Sequence, residues 1–144
     1  MFPNTVKNTA IVLMNNRGFV LMLKCRFTQR WMTPGGKIEL GESPFMGMLR
    51  EFREETGYCL PQSRILKTVN WPRKNPRTRI YVAVSDEPLP KFKETEEVVE
   101  RRLVHWSDIM NMNREEIRHN VKRSFFELGL DNLVKSRIPE AFTK

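Results

Sequence analysis

Cysteine and histidine are scarce in this 144-residue chain, at two of each. Cys25 and Cys59 stand alone, without metal-type or disulfide-framework spacing, which argues against a disulfide scaffold and predicts a reducing compartment. His105 and His119 also lack partners at metal-ligand spacing and read as structural or surface residues. Long hydrophobic runs are missing. The longest, Ala10–Met14 and Phe19–Leu23, are far too short to cross a bilayer. Met1-Phe2-Pro3-Asn4 lacks the basic-then-apolar pattern of a secretion signal. No repeat, low-complexity segment or Pro/Gly-rich linker divides the chain. These absences predict one soluble, cytoplasmic domain over residues 1–144 with no membrane contact. They leave the oligomeric state open.

Positive charge is in excess. Lys plus Arg is 25 against 17 for Asp plus Glu, a formal net charge of +8. That balance favours an anionic partner, such as a nucleotide, nucleic acid or another polyphosphate, although it also serves solubility alone.

The apolar pattern predicts strands at Thr9–Met14 and Phe19–Cys25, paired as a hairpin around Asn15-Asn16-Arg17-Gly18. Trp31–Gly36 then breaks regular structure. Ser43 followed by Pro44 marks a helix start, because the hydroxyl caps a free N–H and proline suits the first helical position. Gly57 marks its end. The helix Pro44–Thr56 carries Phe45, Met48, Leu49 and Phe52 at helical spacing, one face to bury. Strands follow at Ile65–Trp71 and Thr78–Ser85 around the basic loop Pro72–Arg77, with a shorter strand near Leu103–Trp106. Trp106 is assigned to the core. Asn113 with Glu116 forms a capping-box pattern for a last helix, Arg114–Leu128, closed by Gly129. Strands mixed with two well-marked helices predict an α/β/α architecture.

Glu51, Glu54 and Glu55 lie at i, i+3 and i+4, so their carboxylates are expected on one side of the first helix. Like charges at that spacing repel unless a cation sits among them, and Mg²⁺ prefers such oxygen ligands. Alone, three clustered glutamates read more simply as a solvated acidic face. Their setting decides otherwise. Gly36, five residues, Glu42, seven residues, then Arg50-Glu51-Phe52-Arg53-Glu54-Glu55-Thr56-Gly57-Tyr58 resembles the Nudix box, G-x5-E-x7-R-E-U-x-E-E-x-G-U, where U is bulky and apolar. All seven fixed letters are present, a coincidence of roughly one in 10⁶ for a chain this size. Phe52 and Tyr58 are aromatic where aliphatic residues are usual. Trp31-Met32-Thr33-Pro34-Gly35-Gly36-Lys37-Ile38-Glu39 also resembles the family's W-x-x-P-G-G-K-x-E lead-in, common in MutT-like members.

The resemblance implies an α/β/α sandwich with a mixed sheet and a pyrophosphohydrolase using Mg²⁺, with Mn²⁺ as a possible substitute. It assigns Glu51, Glu54, Glu55 and the Gly35 carbonyl as metal ligands, and Arg50 as the residue orienting a box glutamate. Gly36, Glu42 and Gly57 hold the motif together. The general base is either a box glutamate, Glu55, or a later loop glutamate, Glu96 or Glu97. Candidates for substrate contact are Arg26, Trp31, Lys37 and Arg77. Lys24 and Arg30 are further candidates for phosphate, and Phe27 and Trp71 for a base.

Three functions remain in play. The first is hydrolysis of a nucleoside di- or triphosphate or a nucleoside-diphosphate-linked compound. The second is hydrolysis of a more highly charged substrate: an RNA 5′ end or cap, a dinucleoside polyphosphate or a diphosphoinositol polyphosphate. Arg73, Lys74, Arg77 and Arg79 support it, whereas Lys37 and Ile38 depart from the G-G-G-M lead-in of diphosphoinositol polyphosphate hydrolases. The third, a non-catalytic nucleotide sensor, fits poorly with a complete set of box carboxylates.

Overall fold

The structure, a computed structural model, describes residues 6–137. Residues 1–4, where the sequence was read for a secretion signal, lie outside the described residues, as does the side chain of His119. Seven strands form a mixed sheet: β1 (Asn8–Met14), β2 (Phe19–Cys25), β3 (Trp31–Met32), β4 (Gly35–Lys37), β5 (Arg64–Trp71), β6 (Thr78–Val84) and β7 (Val98–His105). The helices are α1 (Pro44–Thr56), α2 (Trp106–Ile109), α3 (His119–Leu128) and α4 (Leu130–Arg137).

β1 runs parallel to β6 along its whole length, and β6 pairs antiparallel with the edge strand β5. The first two strands form only the base of a hairpin. Met14 pairs with Val20, after which β1 pairs with β4 while β2 pairs with β3 and β7. The segment expected to break regular structure therefore supplies two short strands. They occupy the fork between β1 and β2, where unpaired backbone groups would otherwise be left.

Alternation along the central strands builds a core on each face. Val12, Met14, Val20, Met22, Ile80 and Val82 pack with Ile109, Ile117, Phe125, Leu128 and Val134. Ile11, Leu13, Leu21, Leu23, Tyr81 and Ala83 face Met48 and Phe52 of α1. A sheet apolar on both faces must be covered twice, which is why the expected α/β/α sandwich forms.

α1 has its expected bounds. Ser43 accepts a hydrogen bond from the Met46 N–H, and Gly57 closes the helix at φ 83°. Its buried face differs from the expected apolar stripe: Met48 and Phe52 are fully buried, but Phe45 is exposed, and the ionisable Glu55 is buried in its stead.

The expected last helix is also corrected. Glu116 N–H and Asn113 Oδ1 do form their capping bond, yet α3 begins only at His119. Trp31 N–H donates to the Glu116 carbonyl and Arg118 N–H donates to the Trp31 carbonyl. This exchange holds Arg118 extended and buries Ile117, so a tertiary bridge outweighs the local cap. Gly129 caps α3 as expected, and α4 follows it. β7 starts five residues before the expected Leu103, and Trp106 opens α2 rather than ending the strand. Trp106 is half-buried against the core as assigned.

Candidate active site

The site forms where β4 crosses the middle of α1. At Gly35 an added Cβ would stand 2.3 Å from the Thr9 carbonyl oxygen of the neighbouring strand. At Gly36 it would stand 2.5 Å from the Glu51 Cδ. Glycine at these positions is thus required by close approach, and its effect is to seat the Glu51 carboxylate directly on the β4 backbone.

Arg50 is the hub. Its Nε and Nη2 donate to both Glu42 oxygens at 2.7 and 3.0 Å, a bidentate clasp. Nη2 also donates to the Lys37 carbonyl at 2.8 Å. Nη1 donates to Glu51 at 3.1 Å and Glu54 at 3.2 Å, and lies 3.4 Å from Glu39. The Arg50 hydrogen bonds hold the Glu42 carboxyl below its ordinary range, and the surrounding carboxylates, Glu42 first, push the guanidinium up. Arg50 therefore stitches the Gly36–Glu42 loop to α1.

Glu55 behaves differently. Its Oε1 accepts from the Gly35 N–H at 2.8 Å, while its buried Oε2 receives no hydrogen bond. Burial, reinforced by the charges of Glu97 and Glu51, pushes the carboxyl up to about 9, against the Gly35 bond that pulls it down. Burial also raises Glu51 against the pull of Arg50, and Glu54 and Glu97 add repulsion.

The three box carboxylates are neighbours but differ in exposure: Glu51 and Glu54 both accept from Arg50 Nη1, and the charge of Glu51 acts on Glu55. Glu51 and Glu55 turn toward β4, whereas Glu54 is 57% exposed on the Arg50 flank. Among the described residues no three carboxylates form a ready-made metal cluster. Of the two later glutamates, Glu97 reaches the Glu51–Glu55 pair. Glu96 is exposed.

The sequence-predicted substrate residues scatter. Arg26 is engaged by the 94–97 loop rather than by the box. Trp31 is buried, with Arg102 4.7 Å and Lys24 5.9 Å from its ring. Lys37 and Arg77 are exposed and converge at the start of β1: Lys37 pairs with Asn8, and the Arg77 carbonyl accepts from Lys7 and Asn8. Phe27 is exposed, and the Trp71 indole donates to Glu127. Two contributors were missed. Glu39 faces Arg50, and its place in the lead-in was the signal. Thr95 donates to the Glu55 carbonyl at 3.3 Å, and no local pattern marks it.

The NUDIX domain family model matches residues 4–128. The chain belongs to the Nudix family.

The Nudix box described above is accordingly the β4–α1 corner. An RNA pyrophosphohydrolase of Photorhabdus laumondii is 42% identical over 67 residues, 46% of this chain and 38% of that protein. The chain thus spans well under half the length of this curated relative. Among solved structures, a MutT protein from Methanosarcina mazei superposes with a TM-score of 0.65 at 23% identity, covering 92% of this chain and 98% of that one. A bifunctional NMN adenylyltransferase/ADP ribose pyrophosphatase from Francisella tularensis, complexed with AMP and a manganese ion, superposes at 0.63. Its identity is 21%, over 92% of this chain and 43% of that one. At these identities the structural likeness speaks for the Nudix fold.

Proposed function

We propose that this chain hydrolyses a phosphoanhydride bond in a nucleoside di- or triphosphate or a nucleoside-diphosphate-linked compound, with Mg²⁺ or Mn²⁺ bound at the Nudix box. The observation that carries this reading is Glu55. A carboxyl buried beside Glu51 and Glu97, with one oxygen receiving no hydrogen bond, is costly unless it is protonated or given a cation. The nearby donors are hard oxygens, which suit Mg²⁺ and Mn²⁺. Glu51 and Glu55 would hold the ion, joined by Glu54 and the Gly35 carbonyl. When bound, the cation neutralises phosphate oxygens and favours in-line displacement.

The remaining chemistry belongs to the chain. Glu97, half-buried beside the box, suits the general base better than Glu55, whose lone pairs are committed to Gly35 and the ion. As a water oxygen bonds to phosphorus, Glu97 takes the water proton. The bond from phosphorus to the bridging oxygen breaks, and its electron pair leaves with the departing phosphate group. Arg50 and the Glu42 clasp keep Glu51 seated over Gly36 throughout. The two free cysteines, Cys25 and Cys59, fit a cytoplasmic setting, and among the described residues no helix is long and apolar enough to cross a membrane.

A second reading has an observation of its own. Lys7, Lys37 and Arg77 gather at the start of β1, beside the Pro72–Arg77 loop, and a longer polyanion such as an RNA 5′ end would use them. A curated relative named RNA pyrophosphohydrolase favours the same substrate. The test is a side-by-side assay, with Mg²⁺, of nucleoside triphosphates, dinucleoside polyphosphates, nucleotide sugars, diphosphoinositol polyphosphates and 5′-triphosphorylated or capped RNA. Cleavage of the phosphoanhydride bond in at least one, read as phosphate, pyrophosphate or a nucleoside phosphate product and abolished by chelator, is expected. No turnover of any would remove the hydrolase reading and revive the sensor.

A further inference from the structure

We infer that Arg26 is a positioning residue for the loop that carries Glu97, and not a ligand of substrate phosphate. The inference rests on the reading of Glu97 as general base. One residue grips four consecutive loop positions. The Arg26 Nε donates to the Glu96 carbonyl and Nη2 to the Thr95 carbonyl, both at 3.0 Å. Nη2 also lies 3.3 Å from the Glu94 carboxylate. The Arg26 main-chain N–H donates to the Glu97 carbonyl at 2.7 Å. With Nε and Nη2 committed in this way, the guanidinium cannot turn its Nε–Nη2 edge to a phosphate as a bidentate fork.

Arg26 is itself held in place. The β2–β7 register shifts at Lys24/Cys25, where the strand gives way to a turn. Gln29 N–H closes that turn on the Cys25 carbonyl at 2.8 Å, and the Gln29 side chain donates to the Arg26 carbonyl at 2.8 Å. On the other side of the loop, Thr95 Oγ1 donates to the Glu55 carbonyl and accepts from the Val98 N–H at 3.2 Å. The loop is thus clamped between a turn and the last part of α1. Its final residue, Glu97, is near enough to the box for its charge to act on Glu55 and Glu51. A base must stand within hydrogen-bond reach of the water it deprotonates, and small displacements are heavily penalised. Arg26 supplies that placement at one remove from the chemistry.

The experiment compares wild type with Arg26→Ala, Arg26→Lys, Glu97→Gln and the Arg26→Ala/Glu97→Gln double variant. Two readouts are used: Mg²⁺-supported steady-state kinetics on the substrate that the assay above selects, and amide hydrogen exchange without substrate. Arg26→Ala should lower kcat about 10- to 100-fold with KM within about threefold. Exchange at Thr95 and Val98 should speed up. The double variant should be no slower than Glu97→Gln alone, because the two residues act as one unit. Arg26→Lys keeps the charge but not the planar fork, so it should rescue little.

A phosphate ligand would behave otherwise. Raised KM with kcat retained, rescue by lysine, or multiplicative losses in the double variant would overturn the inference, as would unchanged exchange at Thr95 and Val98. Wild-type kcat in Glu97→Gln would remove the base reading instead, and faster exchange in Arg26→Ala would then show a clamp with no catalytic load.

Discussion

The β4–α1 corner and the Pro72–Arg77 loop are both charged, but they hold charge in opposite ways. In the corner, Glu39, Glu42, Glu51 and Glu54 share a single arginine, and Glu55 is sealed beneath them. On the loop, Arg73, Lys74 and Arg77 are exposed, and among the described residues no carboxylate pairs with them. Charge built into a packed corner resists relaxation and can be set for one reaction. Charge on an exposed turn is screened within about 8–10 Å at physiological ionic strength and acts as a general attraction. The corner is suited to chemistry and the loop to recruitment.

The largest effects should come from the corner. Glu55→Gln is expected to lower turnover by about 10²-fold or more, and excess chelator should abolish it in the wild type. Wild-type turnover in this variant would mean that the buried carboxyl is only structural.

The two glycines should separate packing from chemistry. Gly35→Ala drives its Cβ against backbone and should destabilise the fold by about 1–3 kcal/mol or more. Gly36→Ala meets only the end of the Glu51 side chain, so it should cost less in Tm while displacing Glu51 and weakening Mn²⁺ binding. Equal Tm losses with unchanged metal affinity would break the distinction.

Titration should show the same corner from another side. Glu55 is protonated when folded up to about 9, against an ordinary 4.5. Between those values the folded state holds one proton more than the unfolded, so the metal-free protein should lose stability as pH rises. Glu42, held low by Arg50, acts in the other window: its contribution is lost as pH falls below the ordinary carboxylate range. Metal-free stability, followed by denaturant melts, should therefore peak near the boundary between them. Glu55→Gln should flatten the alkaline limb, and Mn²⁺ should lift it. An alkaline limb that persists in Glu55→Gln would place the titrating group elsewhere.

The smallest effect belongs to the loop. Replacing Arg73, Lys74 and Arg77 together with Ala should raise KM about tenfold for 5′-triphosphorylated RNA and barely alter a nucleoside triphosphate. Raised salt should mimic the change, and Tm should hold. Equal KM for both substrates, with no salt dependence, would make the loop a solubilising tip.

Much of this protein could be read along the chain. Ser43, Pro44 and Gly57 bounded α1 because caps are local, decided by one side chain and the next few amides. Apolar runs at β1, β2 and β6, mixed with two well-marked helices, announced a sheet sandwiched by helices. The box spacing named Arg50 and the glutamates because each is a fixed number of residues from Gly36. Tertiary structure decided the rest. Asn113 and Glu116 formed their cap, yet Trp31, more than eighty residues away, took the next backbone groups and moved the start of α3. Helical spacing placed three carboxylates together, but the fold set their exposure: Glu54 stays open beside Arg50 while Glu55 is buried. Glu97 was one loop glutamate among several until β7 paired with β2 and carried it to the box. Local hydrogen bonds and periodicity are written in neighbouring residues. Burial, and the partner a charge finally meets, depend on which distant segments the fold brings together.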